Sequence, residues 1–512
     1  MALTAESTKN LFALPPTPAG RRRRVRNLAI TILVPLLVAA GVTWIVVTVV
    51  SSCGSGMASI GDECIGTTDG SFPFNPGDAA FSKAENDILA QNRQVVATAK
   101  YYVRVALLSS MTWTATSALS RSKIIHQIEG ADVALRRVNE GVTGDTPSIE
   151  LLLANEGLNE DHYGPVVSQM MGMTGGDHPL DAVIGLGISK GATLQGGKNL
   201  AGVLMVGSNL TGDILDNTHI PGFSRVSTSN QDDVTALAQY MATQPGLQKT
   251  MLVHAVNPPP GSDPNQADLY TSSLEQDFHD RLGQYTVAAS EPFDPNDPSN
   301  SFSNIARDLC TTHNPPTTVL YAGREPDLPT FIRDLAQRPC VSDPVTVLVG
   351  TDASNVTSNA DDPATHQVNA DLATGHINVI CPAWAAPQNW AADPRSAPAG
   401  FAGFKTRFAS DFTANGDYGT ALDDGYAIMT HDAVLTASKA IRLATLPPVT
   451  IPTPAQTLGE QFHILAGDTI EGASGSLSFQ ESNNGNPSGK PVFVLRLNPS
   501  GPPTLLHIYV TP

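Results

Sequence analysis

Short apolar runs alternate with longer segments of helical periodicity along most of this chain. Tyr101 to Leu108 and Ile149 to Ala154 are short, mostly apolar runs that are predicted to form strands. Between these runs, Ser122 to Val138 carries apolar residues at helical spacing. Strands and helices in this order, with short connections, predict βαβ units.

The stretch from Leu180 to Leu215 contains two further apolar runs, 182–186 and 202–206, and small hydroxyl residues follow each of them. In an open α/β sheet, the loops at the carboxyl ends of the strands line the ligand crevice. This stretch therefore predicts one half of a cleft for a small molecule.

The pattern restarts at Lys249 to Ala255 and continues through strand-like runs at 317–321 and 345–349. A chain of 512 residues is longer than the roughly 250–300 residues that one hydrophobic core supports. The predicted fold class is therefore α/β, with two doubly wound parallel-sheet lobes. Near the end of the chain, 475–479 and 492–497 are predicted to pair as a hairpin.

The N-terminal region predicts a membrane anchor. Asn27 to Val50 contains no charged residue and exceeds the roughly 20 apolar residues that cross a bilayer. Arginines at 21–24 precede it, so the N-terminus is expected in the cytoplasm and the bulk of the chain outside a single-pass cell-membrane helix. A lipoprotein processed at Cys53 and a cleaved signal peptide are the alternatives. The net charge of −18 argues against nucleic-acid binding.

Export would permit disulfides, and the chain has five cysteines. Cys53 and Cys64 flank a short Gly/Ser-rich loop and are candidates for one disulfide. Cys310 and Cys340 each end a helix-like segment and are candidates for the second, which leaves Cys381 free. There is no C-x-x-C motif, so zinc is not indicated, and no metal or other cofactor is expected.

Several segments together resemble the type I periplasmic binding proteins, specifically the branched-chain amino acid (Leu/Ile/Val) solute-binding receptors. The similar segments are 124–140, 180–215, 266–270, 321–328, 425–434 and 470–497, of which the last is the most specific. The resemblance covers about residues 98–500. It implies two lobes joined by a hinge, which close on a ligand held between them.

The resemblance also implies domain boundaries, because the chain of this family crosses between the lobes three times. Placed on this sequence, the crossings fall near Gly246, Pro382 and Gly467. The predicted domains are a cytoplasmic basic tail at 1–26, a transmembrane helix at 27–50, an extracellular stalk at 51–97, lobe one at 98–246 plus 383–467, and lobe two at 247–382 plus 468–510.

By the same resemblance, hydroxyl and backbone groups of lobe one bind the carboxylate of an amino acid. Ser189 and Thr211 are the predicted contacts, with the backbone of Asn209 beside them and Thr193 as a weaker candidate. Hydroxyls and backbone N–H groups bind a carboxylate without burying a second charge. The alternative is that Ser189 and Thr211 only cap the helices that follow them.

In lobe two, the resemblance makes Tyr270 the aromatic contact and Asp327 the acidic contact for the ammonium group of the ligand. The family usually has Glu at the acidic position. An alternative is that Arg324 pairs with Asp327 on the surface. If Arg324 faces the cleft, we expect a ligand more acidic than a plain amino acid.

The leading functional prediction is a membrane-tethered extracellular receptor that captures a small polar ligand, such as an amino acid, for an ABC-type permease. The alternative is an extracellular sensor acting through a partner membrane protein. A third candidate is a serine hydrolase, because 187–191 fits the G-x-S-x-G motif around Ser189. That motif needs a helix directly after the Ser, which the glycines at 191, 196 and 197 disfavour, so no enzyme activity is predicted.

Overall fold

The computed structural model describes residues 53–54, 56–141, 146–259, 263–359, 362–413, 416, 418–445, 451–463 and 469–512. All the elements below lie within the compact unit Gly56–Pro512. The strands are β1 (Ala58–Ile60), β2 (Glu63–Thr68), β3 (Tyr102–Ser109), β4 (Ser148–Asn155), β5 (Leu180–Gly185), β6 (Leu204–Gly207), β7 (Phe223–Arg225), β8 (Thr250–Ala255), β9 (Glu291–Phe293), β10 (Thr318–Ala322), β11 (Val345–Leu348), β12 (Ile377–Ala383), β13 (Ile470–Gly472), β14 (Gly475–Leu477), β15 (Pro491–Arg496) and β16 (Thr504–Val510). The helices are α1 (Ala79–Thr98), α2 (Arg121–Glu140), α3 (Tyr163–Met171), α4 (Gly191–Asn199), α5 (Asn230–Ala242), α6 (Leu269–Leu282), α7 (Pro298–Asp308), α8 (Leu328–Ala336), α9 (Thr365–Ala373), α10 (Pro387–Ala392), α11 (Phe401–Phe412), α12 (Tyr426–Ala444) and α13 (Pro454–Gly459).

Two seven-stranded sheets form the centres of two lobes. The first has the order β1-β2-β4-β3-β5-β6-β7, and the second has the order β16-β15-β12-β11-β10-β8-β9. In each sheet five neighbouring strands are parallel to one another. Two further strands at one edge each pair in antiparallel orientation with the neighbouring strand nearer the centre of the sheet. The sheets are thus mixed rather than purely parallel. The α/β class and the two lobes were predicted correctly.

Helices cover both faces of the first sheet. Val105 of β3 belongs to a core cluster that contains Ile128 of α2, whereas its neighbour Ala106 belongs to a second cluster with Val166 of α3. Successive side chains of a strand point to opposite faces, so each face buries its own apolar layer. This arrangement explains why most positions of the strands are apolar.

The second sheet is covered in the same way. Val253 of β8 packs in a cluster with Phe302 of α7, and Leu252 packs with Leu237 of α5 on the other face. Helix α5 therefore lies against the second sheet, although the predicted boundary near Gly246 puts it in lobe one. The predicted crossing near Gly467 lies outside the described residues. The remaining domain boundaries stay a prediction.

The segment predicted as a stalk is instead built into lobe one. Strand β2 pairs with β4, with Thr67 opposite Ala154. Helix α1 begins at the N-cap Asp78, whose carboxylate accepts hydrogen bonds from two backbone N–H groups of the first turn, and it buries Phe81 and Ile88 in the lobe-one core. The prediction of a stalk at 51–97 was wrong, because the helix in this segment, although largely polar, has one apolar face that packs against lobe one.

The predicted terminal hairpin is also wrong in its pairing. Strand β14 pairs with β13, and β15 lies between β12 and β16 in the second sheet. The two apolar segments were identified correctly as strands, but the turn between them was misassigned. Local pattern identifies a strand, while the choice of its partner is a tertiary matter.

The predicted cell-membrane localisation requires a correction. Within the described ranges, no helix combines the length and the apolar character that a bilayer crossing demands. The long helices α1, α2 and α12 all carry charged residues along their length, and such residues are unfavourable in a hydrocarbon layer. This finding overturns the predicted localisation. Asn27–Val50, the segment on which the prediction rested, lies outside the described residues.

The cysteine predictions agree with the structure. Cys310 and Cys340 form a disulfide with a Cα–Cα distance of 5.5 Å, within the range that the bond requires. Cys53 and Cys64 are both disulfide-bonded. Cys381 is free and buried, as the leftover cysteine was predicted to be.

Candidate ligand-binding cleft

The lobes meet at the carboxyl ends of their strands, where the loop after β5 contacts the start of α6. The carbonyl oxygen of Ser189 accepts hydrogen bonds from the N–H groups of Leu269 (2.9 Å) and Tyr270 (3.2 Å). The N–H of Gly191 donates to the carbonyl of Ala267 at 2.8 Å. The first N–H groups of a helix have no partner within it, so the Ser189 carbonyl satisfies two of them across the cleft.

Arg324, which follows β10, faces this cleft. Its Nε and Nη2 donate to the carboxylate of Asp268 at 2.7 and 3.0 Å, and Nη2 also donates to the carbonyl of Ile188 in lobe one at 2.6 Å. The guanidinium carbon lies 4.4 Å from the centroid of the Tyr270 ring, a cation–π distance. The alternative in which Arg324 pairs with Asp327 on the surface was therefore wrong.

A buried lysine connects the lobes deeper in the cleft. Lys123, near the start of α2 in lobe one, is 0% exposed. Its ammonium pairs with two carboxylates of lobe two, those of Asp352 at 3.0 Å and Glu325 at 3.4 Å. Asp352 also accepts the N–H of Glu325 at 3.1 Å, and its Oδ2 lies 3.8 Å from Nη1 of Arg324. The two cations and two of the acids thus form one connected network.

The charges of this network stabilise one another. Burial alone would lower the pKa of Lys123, but the carboxylates of Asp352 and Glu325 raise it well above its usual value. Burial alone would raise the pKa of Asp352, but Lys123 and Arg324 hold it below its usual value. Burial raises the pKa of Glu325. Lys123 and Asp352 therefore form a charged pair in the folded protein.

A cavity of about 460 Å³ lies at the mouth of the cleft, within the usual size range of small-molecule sites. Its charged lining residues are Lys190 of lobe one and Asp268, Arg324 and Asp327 of lobe two. Four prolines, Pro259, Pro295, Pro298 and Pro326, contribute apolar wall. The cavity thus offers both charged groups and an apolar surface to a ligand.

Three of the predicted carboxylate contacts lie together on the lobe-one side. The Oγ of Ser189 accepts hydrogen bonds from the N–H groups of Thr211 (3.2 Å) and Gly212 (3.3 Å). The side-chain oxygen of Asn209 accepts from the hydroxyl of Ser208 at 2.7 Å. Among the described residues, Nδ2 of Asn209 is buried without a hydrogen-bond partner. The contacts of Ser189, Asn209 and Thr211 with a ligand stay a prediction.

The hydroxyl of Thr193 forms hydrogen bonds with two residues of lobe one. Its hydroxyl accepts the N–H of Lys190 at 2.8 Å, which caps α4, and donates to the carboxylate of Glu160 at 2.6 Å. Burial raises the pKa of Glu160 to about 7. Thr193 is thus held by neighbours within lobe one.

Tyr270 and Asp327 lie on the lobe-two side, as predicted. The Tyr270 hydroxyl accepts the N–H of Asp352 at 3.4 Å, and burial raises the pKa of that hydroxyl well above its usual value. Asp327 lines the cavity. Burial, and then the nearby acids Asp268, Asp352 and Glu325, raise the pKa of Asp327 to about 7.

The sequence analysis missed Lys123, Glu325 and Asp352. A signal for Asp352 was present, because it follows β11 at the carboxyl end of a parallel strand. Lys123 carried a weaker signal, a charged side chain beside two isoleucines in a helix that follows a strand. Their pairing joins residues 229 positions apart, which local pattern does not predict.

The surroundings of Ser189 and the acidic clusters bear on two chemical alternatives, a serine hydrolase and a metal site. Helix α4 does begin at Gly191, so the expectation that glycines would prevent a helix after Ser189 was wrong. The Oγ of Ser189 nevertheless accepts hydrogen bonds from two backbone amides, whereas a hydrolase needs a base beside that hydroxyl. Among the residues that the structure describes, no cluster of His, Cys, Asp or Glu is suited to a metal ion.

The two mixed α/β lobes with a polar cleft between them are the architecture of the type I periplasmic-binding-protein fold. No protein-family model matches the chain, and no curated protein matches it. Solved structures do match. The substrate-binding protein LivJ of a branched-chain amino acid transporter from Streptococcus pneumoniae, in complex with isoleucine, superposes with a TM-score of 0.57 at 13% identity, over 80% of this chain and 99% of that chain.

Two further solved structures match this chain to a similar extent. The leucine-binding protein LivK from Thermotoga maritima matches with a TM-score of 0.56 at 17% identity, over 80% of this chain and 99% of its own. An ABC-transporter solute-binding protein from Rhodopseudomonas palustris, bound to 3,4-dihydroxybenzoic acid, gives 0.55 at 13% identity, over 80% and 98%. The chain therefore has the type I periplasmic-binding-protein fold, which confirms the resemblance seen in the sequence.

Proposed function

We propose that this protein is a solute-binding protein that captures a small polar ligand between its lobes and delivers it to an ABC-type transporter. The observation that carries the proposal is the cavity of about 460 Å³ at the lobe junction, with charged groups from both lobes in its lining. The relatives named above, which share the fold, are solute-binding proteins of such transporters. Tyr270 and Asp327, with Arg324 and Lys190, are the proposed ligand contacts.

The contact between lobes gives this proposal a mechanism. Arg324 reaches from lobe two to the Ile188 carbonyl of lobe one, and Lys190 of lobe one donates to the side chain of Gln266 of lobe two at 3.0 Å. A ligand that touches both cations binds the closed arrangement better than an open one. Such differential binding is what allows a ligand to drive hinge closure.

The test is a thermal-shift screen of the full-length protein against amino acids and hydroxybenzoates. A ligand that binds only the native state adds about 2.7 kcal/mol of stability at a hundredfold excess over Kd. For a compound that raises Tm, the variant Arg324→Ala is expected to weaken binding at least about tenfold, or 1.4 kcal/mol. Arg395→Ala, at a side chain that is 92% exposed, is the matched control. A panel without any hit contradicts the proposal.

A further inference from the structure

We propose, on the basis of the proposed function, that the ligand is a carboxylate without an ammonium group, because Lys123 already supplies an ammonium to the buried acids of the cleft. The side chain of Lys123 thereby selects against α-amino acids. Two features of the cleft point to such a ligand: its acidic groups already have partners, and its cavity contains cationic donors that pair with no carboxylate.

The first acid of the cleft, Asp268, is fully engaged. Its Oδ1 caps α6 by accepting the N–H groups of Tyr270 (3.1 Å) and Thr271 (3.0 Å). The same oxygen accepts Nη2 of Arg324, and Oδ2 accepts Nε. A ligand ammonium that bound Asp268 would have to displace a helix cap or a bidentate guanidinium, which is the stronger partner for a carboxylate.

The buried acids, Asp352 and Glu325, are occupied by Lys123. The Lys123 ammonium donates to a carboxylate oxygen and to the carbonyl oxygen of Asp352 and lies 3.4 Å from Glu325. All three residues are at most 5% exposed. A ligand ammonium could bind there only by replacing that of Lys123, and it would leave the lysine charge buried without a partner.

The cavity itself presents unused cationic donors. Among the described residues, the Lys190 ammonium pairs with no carboxylate, and it donates a hydrogen bond to the neutral side chain of Gln266. Nη1 of Arg324 lies 3.8 Å from Asp352, beyond hydrogen-bond distance. Two cations with free N–H groups, beside walls of proline, suit a carboxylate on an apolar body.

Asp327 supports this assignment. Its pKa is raised to about 7 by burial and by the acids around it. Below that pH the carboxyl is neutral and is able to donate a hydrogen bond to a ligand carboxylate. A neutral carboxyl is a poor partner for an ammonium, so below about pH 7 Asp327 does not restore an ammonium site.

The test uses matched pairs of probes that differ only by the ammonium group. The full-length protein is titrated by calorimetry with 4-methylpentanoate against L-leucine, and with 3-phenylpropanoate against L-phenylalanine. We expect the carboxylate of the better-fitting pair to bind at least tenfold more tightly than its amino acid. Equal or tighter binding of the amino acid overturns the inference and leaves the proposed function standing. If none of the four compounds binds and the amino acid and hydroxybenzoate panel also gives no hit, the proposed function itself fails.

A variant series assigns the selectivity to Lys123. Lys123→Ala vacates the site between Asp352 and Glu325 and is expected to raise the affinity for L-leucine at least tenfold, with 4-methylpentanoate changed less than threefold. Adding Glu325→Gln removes one acid and should abolish that gain. A folded Lys123→Ala protein, checked by circular dichroism, that gains no affinity for the amino acid overturns the role of Lys123. If it does not fold, the matched pairs on the unaltered protein still decide the ligand class.

Discussion

At the scale of single residues, the pKa of each acid in the cleft depends on whether a cation lies beside it. Asp352 keeps a lowered pKa because Lys123 and Arg324 offset its burial, whereas Asp327, which has no such partner among the causes of its shift, has its pKa raised to about 7. Two aspartates on the same side of the cleft therefore differ in charge below about pH 7. Environment rather than residue type decides which of them is a fixed anion.

This difference predicts a pH-dependent contribution of Asp327 to stability. Because its folded pKa of about 7 lies above the ordinary value of about 4, the native state holds a proton that the unfolded state has lost between these pH values. Stability contributed by Asp327 is therefore lost as pH rises through that window. We expect Asp327→Asn to stabilise the protein more at pH 8 than at pH 5 in denaturant titrations. The same difference at both pH values would contradict the assignment.

The sequence predicted that Asp327 is an acid of the cleft in lobe two. It did not predict that Glu325 and Asp352 are the acids of the ion pair. Asp327 lies shortly after a strand that is recognisable from the sequence, and it lines the cavity as expected of a residue at a strand end. The ion pair instead uses Glu325 and Asp352, with a lysine 202 and 229 residues away. A buried pair requires the fold to bring both partners together, so local sequence carries no information about it.

At the scale of elements, one glycine sets the distance between two helices. A Cβ on Gly130 of α2 would lie 2.0 Å from the carbonyl oxygen of Ala427 in α12. Glycine normally lowers helix stability by about 1 kcal/mol relative to alanine. Its presence in mid-helix is therefore explained by the close approach of the two backbones, which covers the first sheet.

We predict that Gly130→Ala destabilises the protein despite the better helix propensity of alanine. Overpacking typically costs about 1–3 kcal/mol, and here the clash is with backbone, which has no rotamer to move. Gly403→Ala in α11 is the matched control, since its Cβ would meet no atom within 4 Å, and it should be neutral or stabilising by up to about 1 kcal/mol. Chemical denaturation of both variants measures the difference. Equal effects at the two sites would refute the packing explanation.

At the scale of the whole molecule, the network of Lys123, Glu325, Asp352 and Arg324 ties one lobe to the other. Lys123 belongs to α2, which packs on the first sheet, while its partners follow strands of the second sheet. Removing one partner of a buried ion pair is strongly destabilising, because it leaves the other charge buried without compensation. The contact between the lobes therefore depends on the charges of these four side chains.

We predict that Lys123→Met lowers the free energy of unfolding by roughly 3–5 kcal/mol, because it leaves two buried carboxylates without their cation. Lys83→Met is the control, since the Lys83–Asp87 pair has side chains 57% and 29% exposed and such surface pairs contribute only about 0–1 kcal/mol. Urea denaturation measures both variants. A loss for Lys123→Met no larger than that of the control would show that the network does not hold the lobes together.

The sequence by itself determined the α/β class, the two lobes and most strands and helices, because hydrophobic periodicity is a local property of the chain. The positions of the five cysteines also indicated the cysteine pairs. The helix predicted at 122–138, for example, is α2 at Arg121–Glu140. Only the tertiary structure decided that residues 58–98 belong to lobe one, how the last strands pair, and which acids Lys123 and Arg324 bind. Those outcomes depend on segments distant in sequence that meet in space, where burial and charge select the partners.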